Sequence, residues 1–265
     1  MAVYGPWGCG RCRRCALGEE NYCERAAEIR AAGGGLGRNG GMAEYMLVPS
    51  TRFLVPLGDL DPVAAAPLTD AGLTPYHAIK RSLPLLEPGS TVVVIGVGGL
   101  GHMAVQLLKA LSPARVVAVD TVAAKLDQAR RIDADHGVLA GEEAAGQVKG
   151  QTRMGLGAEL VLDMVGADPT LALAAQVAKP KGAVAIVGLA GGTLPVAFGQ
   201  LPFECSVAIP YWGSRSELME VIALAQAGRI HPQVERFPLE QAPVAYQQMR
   251  DGKLQGRAVI TPSAA

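Results

Sequence analysis

The chain has 265 residues with 24 basic and 24 acidic side chains, and this zero net charge excludes a protein that holds nucleic acid through a basic face. Apolar residues make up 49% of the chain, enough for a buried core, yet no run approaches the roughly 18 uninterrupted apolar residues of a membrane helix. Because the first residues also lack the charged start and apolar run of a signal peptide, we expect a cytoplasmic protein of one large or two medium domains.

Four of the five cysteines fall within one short segment near the start of the chain. Cys9, Cys12, Cys15 and Cys23 have the spacing CxxCxxCx7C, and four thiolates around one tetrahedral ion are typical of a structural zinc. A closed shell of thiolates leaves no position for a substrate, so the metal is expected to stabilise a lobe with little apolar core. Two disulfides, which a reducing cytosol disfavours, and four unpaired thiols are the alternatives. Cys205 lies in an apolar run and is interpreted as a buried small hydrophobe.

Strand and helix patterns alternate through the middle of the chain. Apolar, β-branched runs predict six strands, at 91–96, 114–120, 136–139, 158–165, 183–189 and 206–212. Helical patterns lie between them at roughly 99–111, 122–132, 142–150 and 168–178. Near-continuous apolar strands separated by helices indicate an α/β protein with a parallel sheet covered on both faces, and the doubly wound dinucleotide-binding fold has this pattern.

The first of these strands runs directly into a glycine-rich turn that is followed by a helix. The turn reads GxGxxG and consists of Gly96, Val97, Gly98, Gly99, Leu100 and Gly101. Gly96 permits the tight turn, Gly98 lets the backbone approach a pyrophosphate, and Gly101 lets the helix pack on the strand. The next strand ends at Asp120, whose carboxylate can accept both hydroxyls of an adenosine ribose and would repel a 2′-phosphate. The pattern therefore predicts NAD rather than NADP, because a turn needed only for packing would leave Asp120 unexplained.

These motifs together resemble the zinc-containing medium-chain dehydrogenases, and most closely their bacterial NAD-dependent secondary-alcohol dehydrogenases. The resemblance covers essentially the whole chain and rests on the cysteine lobe, the glycine turn, and segments 41–45, 66–76 and 210–213. It implies a partial GroES-like, β-rich catalytic domain with the zinc lobe over 1–70, a six-stranded Rossmann domain over 71–210, and a return segment over 211–265. In the return segment we expect helices at 216–227 and 239–250 and a final strand at 258–261.

The resemblance also implies roles for individual residues. Asp70 resembles the third protein ligand of a catalytic zinc, Thr74 the residue beside the nicotinamide, and Arg257 an arginine that contacts the pyrophosphate. Lys125 resembles a lysine that reinforces ribose recognition. Val165, Val187 and Leu189 resemble the family's strand-end residues that hold the cofactor. Leu36, Tyr211 and Trp212 resemble residues that form the walls of its substrate pocket.

Each of these positions has a structural alternative. Asp70 can cap a helix, and Lys125 can be a surface charge. The three strand-end residues can belong to the core, and the two aromatic residues can belong to an interface.

In the family, a segment that precedes the part resembled here carries a catalytic cysteine and a Gly-His-Glu motif. None of the four histidines follows a glycine and precedes a glutamate, and His77 would lie about 10 Å from Asp70 along one helix. The resemblance therefore implies an N-terminally truncated form in which Asp70 alone should not retain a catalytic zinc. The absent segment would also supply strands that pair with those around 42–48 and 258–261.

Two functions follow from these observations. The first is zinc-dependent hydride transfer between NAD and a secondary alcohol or ketone. The second is a non-catalytic module that binds NAD and zinc. A zinc-free quinone reductase is a weaker alternative, because those relatives usually lack the cysteine lobe. By analogy with the family we expect a homodimer or homotetramer formed near 207–212, a small-molecule substrate, and no nucleic-acid or membrane partner.

Overall fold

The structure is a computed structural model that describes residues 1–29 and 32–262. Its strands are β1 (Ala2–Val3), β2 (Gly33–Gly34), β3 (Gly37–Arg38), β4 (Leu54–Val55), β5 (Thr91–Ile95), β6 (Arg115–Asp120), β7 (His136–Leu139), β8 (Ala158–Asp163), β9 (Ala178–Ile186), β10 (Ser206–Ala208), β11 (Val234–Pro238) and β12 (Arg257–Thr261). Its helices are α1 (Arg13–Ala16), α2 (Ala26–Ile29), α3 (Pro62–Ala65), α4 (Leu73–Lys80), α5 (Gly101–Leu111), α6 (Ala123–Arg131), α7 (Ala144–Gly150), α8 (Asp168–Val177), α9 (Arg215–Gln226) and α10 (Ala242–Arg250). The chain forms two compact units, Met1–Leu73 with Trp212–Ala265, and Thr74–Tyr211.

A six-stranded sheet forms the centre of the unit Thr74–Tyr211. Its strand order is β10-β9-β8-β5-β6-β7, and every neighbouring pair is parallel. Strand β5 lies between β8 and β6, so the strand order reverses there, and in doubly wound sheets ligands bind at the carboxyl ends of the strands at such a point. The predicted α/β class and the doubly wound parallel sheet are confirmed.

The apolar strands are buried because helices cover the sheet. All five residues of β5 are buried, and Val93 pairs with Val117 on one side and Val161 on the other. A contiguous core adds side chains from α7 and α8, including Val148 and Val177. Because both faces of the sheet are buried, successive residues of the strands are largely apolar and the strands appear in the sequence as near-continuous apolar runs.

The other unit is built from shorter elements. β1 pairs antiparallel with β4, while β11 and β12 form a parallel pair in the return segment. Tyr4 ties the two ends of the chain together within this unit, since its buried hydroxyl donates to the carbonyl of Gly213 at 2.6 Å. Within the described part of the chain, no helix is long and apolar enough to cross a membrane.

The prediction of a strand around residues 42–48 is wrong. The described residues there adopt no strand, and Tyr45 and Leu47 are 83% and 87% exposed. A strand forms only where a neighbour satisfies its backbone donors and acceptors, and no described strand pairs with this segment. The final strand is present, but its partner is β11, which had not been predicted.

Candidate functional site

The four clustered cysteines converge on one point. Their Sγ atoms all lie within 4.8 Å of one another, and those of Cys9 and Cys15 are 4.0 Å apart. Sulfurs on a tetrahedral zinc with bonds of about 2.3 Å are about 3.8 Å apart, so the spacing suits that ion. None of the four is in a disulfide. The donor set therefore fits a structural zinc.

Backbone N–H groups surround these sulfurs. The N–H of Cys12 donates to Cys9 Sγ at 3.3 Å, and that of Arg25 donates to Cys23 Sγ at 3.4 Å. The backbone of Arg11 is the main cause that lowers the pKa of the Cys9 thiol to about 6, whereas burial raises the pKa of Cys15 to about 12. Donors of this kind stabilise thiolates, which are the form that binds zinc.

An ion pair between Arg52 and Glu20 packs against the cysteine lobe. Arg52 donates through Nη2 to the carbonyl of Cys15 at 2.8 Å and to the buried carboxylate of Glu20. The same arginine lines a cavity of about 420 Å³ together with Trp7 and Phe53. No sequence pattern marks Arg52 or Glu20, because the two residues are 32 positions apart and meet only in the folded lobe.

The glycine turn adopts the geometry that its motif predicts. Gly96 has φ +87°, a conformation that residues with a side chain rarely adopt, and a Cβ on Gly101 would overlap the carbonyl oxygen of Gly96. Apart from Gly98 and its two chain neighbours, no atom of the described residues lies within 4 Å of the position that a Cβ on Gly98 would take, so open space remains beside that residue. The ring of His102 is buried in the first turn of α5, with Nδ1 3.1 Å from the Gly98 carbonyl. The turn thus leaves open space beside Gly98, as the motif requires if the backbone is to approach a pyrophosphate.

Asp120 ends β6 beside this turn. Its Oδ2 accepts a hydrogen bond from the N–H of Val97 at 2.8 Å, and its Oδ1 accepts one from Val122 at 3.0 Å. The carboxylate is buried and therefore fixed, and each oxygen keeps a second lone pair for a ligand hydroxyl. Lys125 is half-buried in the first turn of the helix that follows. The structure thus brings Asp120 and the glycine turn together.

Two further turns at the carboxyl edge of the sheet carry three more of the predicted cofactor residues. Val165 follows β8, and Val187 and Leu189 follow β9. The N–H of Ala190 donates to the carbonyl of Val165 at 3.1 Å, which fastens the two turns to each other. Val187 is buried, whereas Leu189 is 95% exposed.

Asp70 is paired with Arg257. An Nη2 of the arginine donates to Oδ2 of the aspartate, so the expected zinc ligand and the expected pyrophosphate contact meet each other. Within residues 1–29 and 32–262, the four cysteines are the one group of three or more side chains placed to hold a metal. The residues described around Asp70 therefore do not fit a catalytic zinc.

The remaining predicted residues lie in different surroundings. Thr74 is buried near the start of α4. The indole N–H of Trp212 donates to the carbonyl of Thr69 at 3.1 Å, and its ring covers Gly5. Leu36 and Tyr211 are exposed.

Comparisons with known proteins agree on one family. The sequence model of the alcohol dehydrogenase GroES-like domain family matches residues 1–59. The sequence model of the zinc-binding dehydrogenase family matches residues 99–227. The NADP(+)-dependent D-arabinose 1-dehydrogenase of Saccharolobus solfataricus is 35% identical, over 99% of this chain and 74% of that protein. An NAD-dependent alcohol dehydrogenase of Sulfurisphaera tokodaii is 33% identical, over 99% of this chain and 75% of that protein.

Solved structures give the same result. The alcohol dehydrogenase of Aeropyrum pernix superimposes with a TM-score of 0.89 at 35% identity, covering 98% of this chain and 75% of that one. The acetophenone reductase of Geotrichum candidum, solved in complex with NAD, superimposes with a TM-score of 0.85 at 30% identity, covering 98% and 72%.

Proposed function

This chain belongs to the zinc-binding alcohol dehydrogenase family, and on that premise we propose that it transfers hydride between NAD and a secondary alcohol or the corresponding ketone. The observation that carries the proposal is the open glycine turn with the fixed carboxylate of Asp120 beside it. The names of similar proteins, among them several alcohol dehydrogenases and an acetophenone reductase, support the substrate class.

The proposal assigns parts of the dinucleotide to residues of this chain. Val165, Val187 and Leu189, at the carboxyl edge of the sheet, are proposed to hold the adenosine and nicotinamide moieties. The open backbone at Gly98, with Gly99 and Leu100, would face the pyrophosphate at the start of α5. Asp120 would accept the ribose hydroxyls, with Lys125 nearby, and its negative charge would disfavour the 2′-phosphate of NADP. When bound, NAD supplies the carbon that accepts or gives the hydride.

Zinc enters the proposal as one structural ion. Cys9, Cys12, Cys15 and Cys23 would hold it and stabilise the lobe. No step is assigned to a catalytic zinc, because the surroundings of Asp70 do not fit one. Thr74 is proposed to contact the nicotinamide, and Leu36, Tyr211 and Trp212 are proposed as walls of the substrate pocket. The proposed domains are 1–70 with 211–265 for catalysis and 71–210 for the coenzyme.

We also propose a homodimer or homotetramer that forms through β10. This strand lies at the outer edge of the sheet, so one row of its backbone groups has no strand partner within the described chain. Ile209 next to it is exposed, as an interface residue would be in the separated chain. The cytoplasm is the proposed location, since four free thiols that bind zinc suit a reducing compartment.

The test is an assay of NAD(P)H formation with a panel of primary and secondary alcohols. We expect secondary alcohols and NAD to give the highest kcat/KM, and Asp120→Ala to lower the NAD/NADP ratio of kcat/KM by about tenfold or more. The matched control is Asp127→Ala, which removes an exposed carboxylate from α6 and should leave the ratio unchanged. Tight NADH binding without turnover of any alcohol or ketone would contradict the dehydrogenase and favour a binding module.

A further inference from the structure

Asp163 is buried at the point where two turns of the candidate cofactor site meet. It is the last residue of β8, its exposed fraction is 0%, and neither the motifs nor the resemblance singled it out. Its neighbours across the sheet are Ile95 on β5 and Ile186 on β9. A carboxylate in such apolar surroundings is costly to bury, so its contacts require an explanation.

The side chain and the backbone of Asp163 hold different turns. Oδ1 accepts hydrogen bonds from the N–H groups of Val165 and Gly166, at 2.9 Å and 3.0 Å. The carbonyl oxygen accepts hydrogen bonds from the N–H groups of Val187 and Gly188, at 2.8 Å and 3.0 Å. One residue therefore fixes four backbone donors that belong to two separate turns.

The two turns are packed so closely that little adjustment is available to them. Gly166 has φ +74°, and a Cβ on it would overlap the carbonyl oxygen of Gly188. A Cβ on Gly188 would in turn overlap the carbonyl carbon of Val165. The side chain of Val165 also packs against Gly96, so the turn that follows β8 is in contact with the glycine-rich turn.

The hydrogen bonds of the Asp163 side chain are all made by one carboxylate oxygen, Oδ1. Oδ2 of Asp163 is buried and has no hydrogen-bond partner among the described residues. An asparagine would provide the same acceptor for Val165 and Gly166 without a buried charge. The carboxylate accepts hydrogen bonds more strongly than an amide, and this is the advantage that Asp163 brings to the turn.

We propose that Asp163 is a positioning residue that holds the turns at 165–167 and 187–190 in register, and that its replacement weakens dinucleotide binding while the sheet stays folded. The inference rests on the proposed function, because those turns carry Val165, Val187 and Leu189. Asp163 does not touch the dinucleotide in this proposal. It acts through the backbone that does.

The test compares Asp163→Asn, Asp163→Ala and the control Asp135→Asn. Asp135 serves as the control because its carboxylate also accepts a backbone N–H, from Val116 at 2.7 Å, but at the amino end of the same sheet. For each variant we would measure the NADH dissociation constant by fluorescence, the melting temperature, and amide hydrogen exchange resolved to peptides.

We expect Asp163→Asn to raise the NADH dissociation constant about fivefold and Asp163→Ala to raise it further, while Asp135→Asn stays within about twofold of the parent. Amide exchange should accelerate in peptides covering 163–167, whose N–H groups lose the carboxylate. It should also accelerate in peptides covering 187–192, because Ala190 and Gly192 donate to the carbonyls of Val165 and Gly166. Exchange in β5 and β6 should stay unchanged. If Asp163→Ala does not fold, the isosteric Asp163→Asn decides.

NADH affinity within about twofold of the parent in Asp163→Asn, with unchanged exchange in both turns, would overturn the proposal. So would exchange that accelerates equally throughout the sheet, since that marks a general loss of stability. If the parent protein binds no NADH, the proposed function has failed, and exchange in the two turns, which needs no cofactor, still decides whether Asp163 holds them.

Discussion

The cysteine lobe and the parallel sheet are ordered by different means. In the sheet, order comes from contiguous apolar side chains such as Val93, Val117 and Val161. In the lobe, α1 has four residues and buries Cys15 alone, and the surrounding glycines and arginines supply little apolar surface. A short segment of that kind folds stably when a metal closes it. The comparison teaches that the two regions should respond to different perturbations.

Removing the metal should have the largest effect. Cys15→Ser, or treatment with a strong chelator, is expected to reduce zinc from one per chain to none, because the site loses a buried ligand. Structural zinc contributes on the order of 10 kcal/mol to small metal-dependent folds, so residues 9–23 should become sensitive to protease. Elemental analysis and limited proteolysis measure both changes. Cys205→Ser, which alters the isolated cysteine, is the control, and a zinc content independent of Cys15 would contradict the assignment.

Truncation of a side chain in the core of the sheet should lower the stability of the protein and leave its zinc content unchanged. Leu160→Ala removes a fully buried side chain from β8 and is expected to lower the free energy of unfolding by about 2–5 kcal/mol. Zinc content should stay at one per chain, since the cysteines hold the ion. Urea denaturation with elemental analysis provides the measurement. Leu139→Ala, at an exposed position on β7, is the matched control, and loss of zinc in Leu160→Ala alone would mean that the regions are not independent.

A third change should affect binding without affecting stability. Gly98→Ala places a methyl group in open space, so the free energy of unfolding should change by less than about 0.5 kcal/mol. The same methyl group occupies the approach to the pyrophosphate, and NADH affinity should fall about tenfold. Fluorescence titration checks the affinity. Gly146→Ala on α7 also enters open space and should leave it unchanged, and equal affinities in the two variants would argue against the turn as the binding site.

The smallest effect concerns a surface carboxylate of the sheet. Burial would raise the pKa of Asp135, but the N–H of Val116 and the ammonium of Lys109 outweigh it and hold this pKa below its usual value. A lowered pKa means that the contribution to stability is present at neutral pH and is lost as the pH falls through that lowered value. Asp135→Asn should therefore cost about 0.5–1 kcal/mol at neutral pH and almost nothing at low pH. Urea denaturation at both pH values tests this, and a constant difference would contradict it.

Local patterns predicted all six strands of the sheet, but the predicted strand 183–189 is observed as β9 (Ala178–Ile186) and the predicted strand 206–212 ends at Ala208. β7 has the predicted bounds, and β5, β6 and α8 differ from prediction by one residue at an end, because apolar periodicity and glycine turns act between near neighbours. β11 was missed, since Val234–Pro238 mixes apolar with charged residues and is a strand through its pairing with β12. The segment 42–48 shows the opposite error, a strand-like pattern without a neighbour to pair with.

The candidate site divides in the same way. The cysteine spacing and the glycine turn are local, and the sulfurs and the turn lie where those patterns predict. Arg52 and Glu20 carry no local signature, because the two residues are 32 positions apart. The side chain of Asp163 bonds N–H groups only two and three residues ahead, whereas its carbonyl oxygen bonds Val187 and Gly188, a pairing that sequence spacing does not indicate. The pairing of Asp70 with Arg257 joins residues 187 positions apart, and no spacing rule anticipates it.

The bond between Tyr4 and Gly213 spans 209 positions, and it has a consequence for synthesis of the protein. The unit Thr74–Tyr211 is a single stretch, so it can fold as soon as its last strand has left the ribosome. The unit that contains Tyr4 combines segments on both sides of that stretch. We therefore expect Tyr4 to stay exposed to chaperones and proteases until the segment that carries Gly213 has been synthesised.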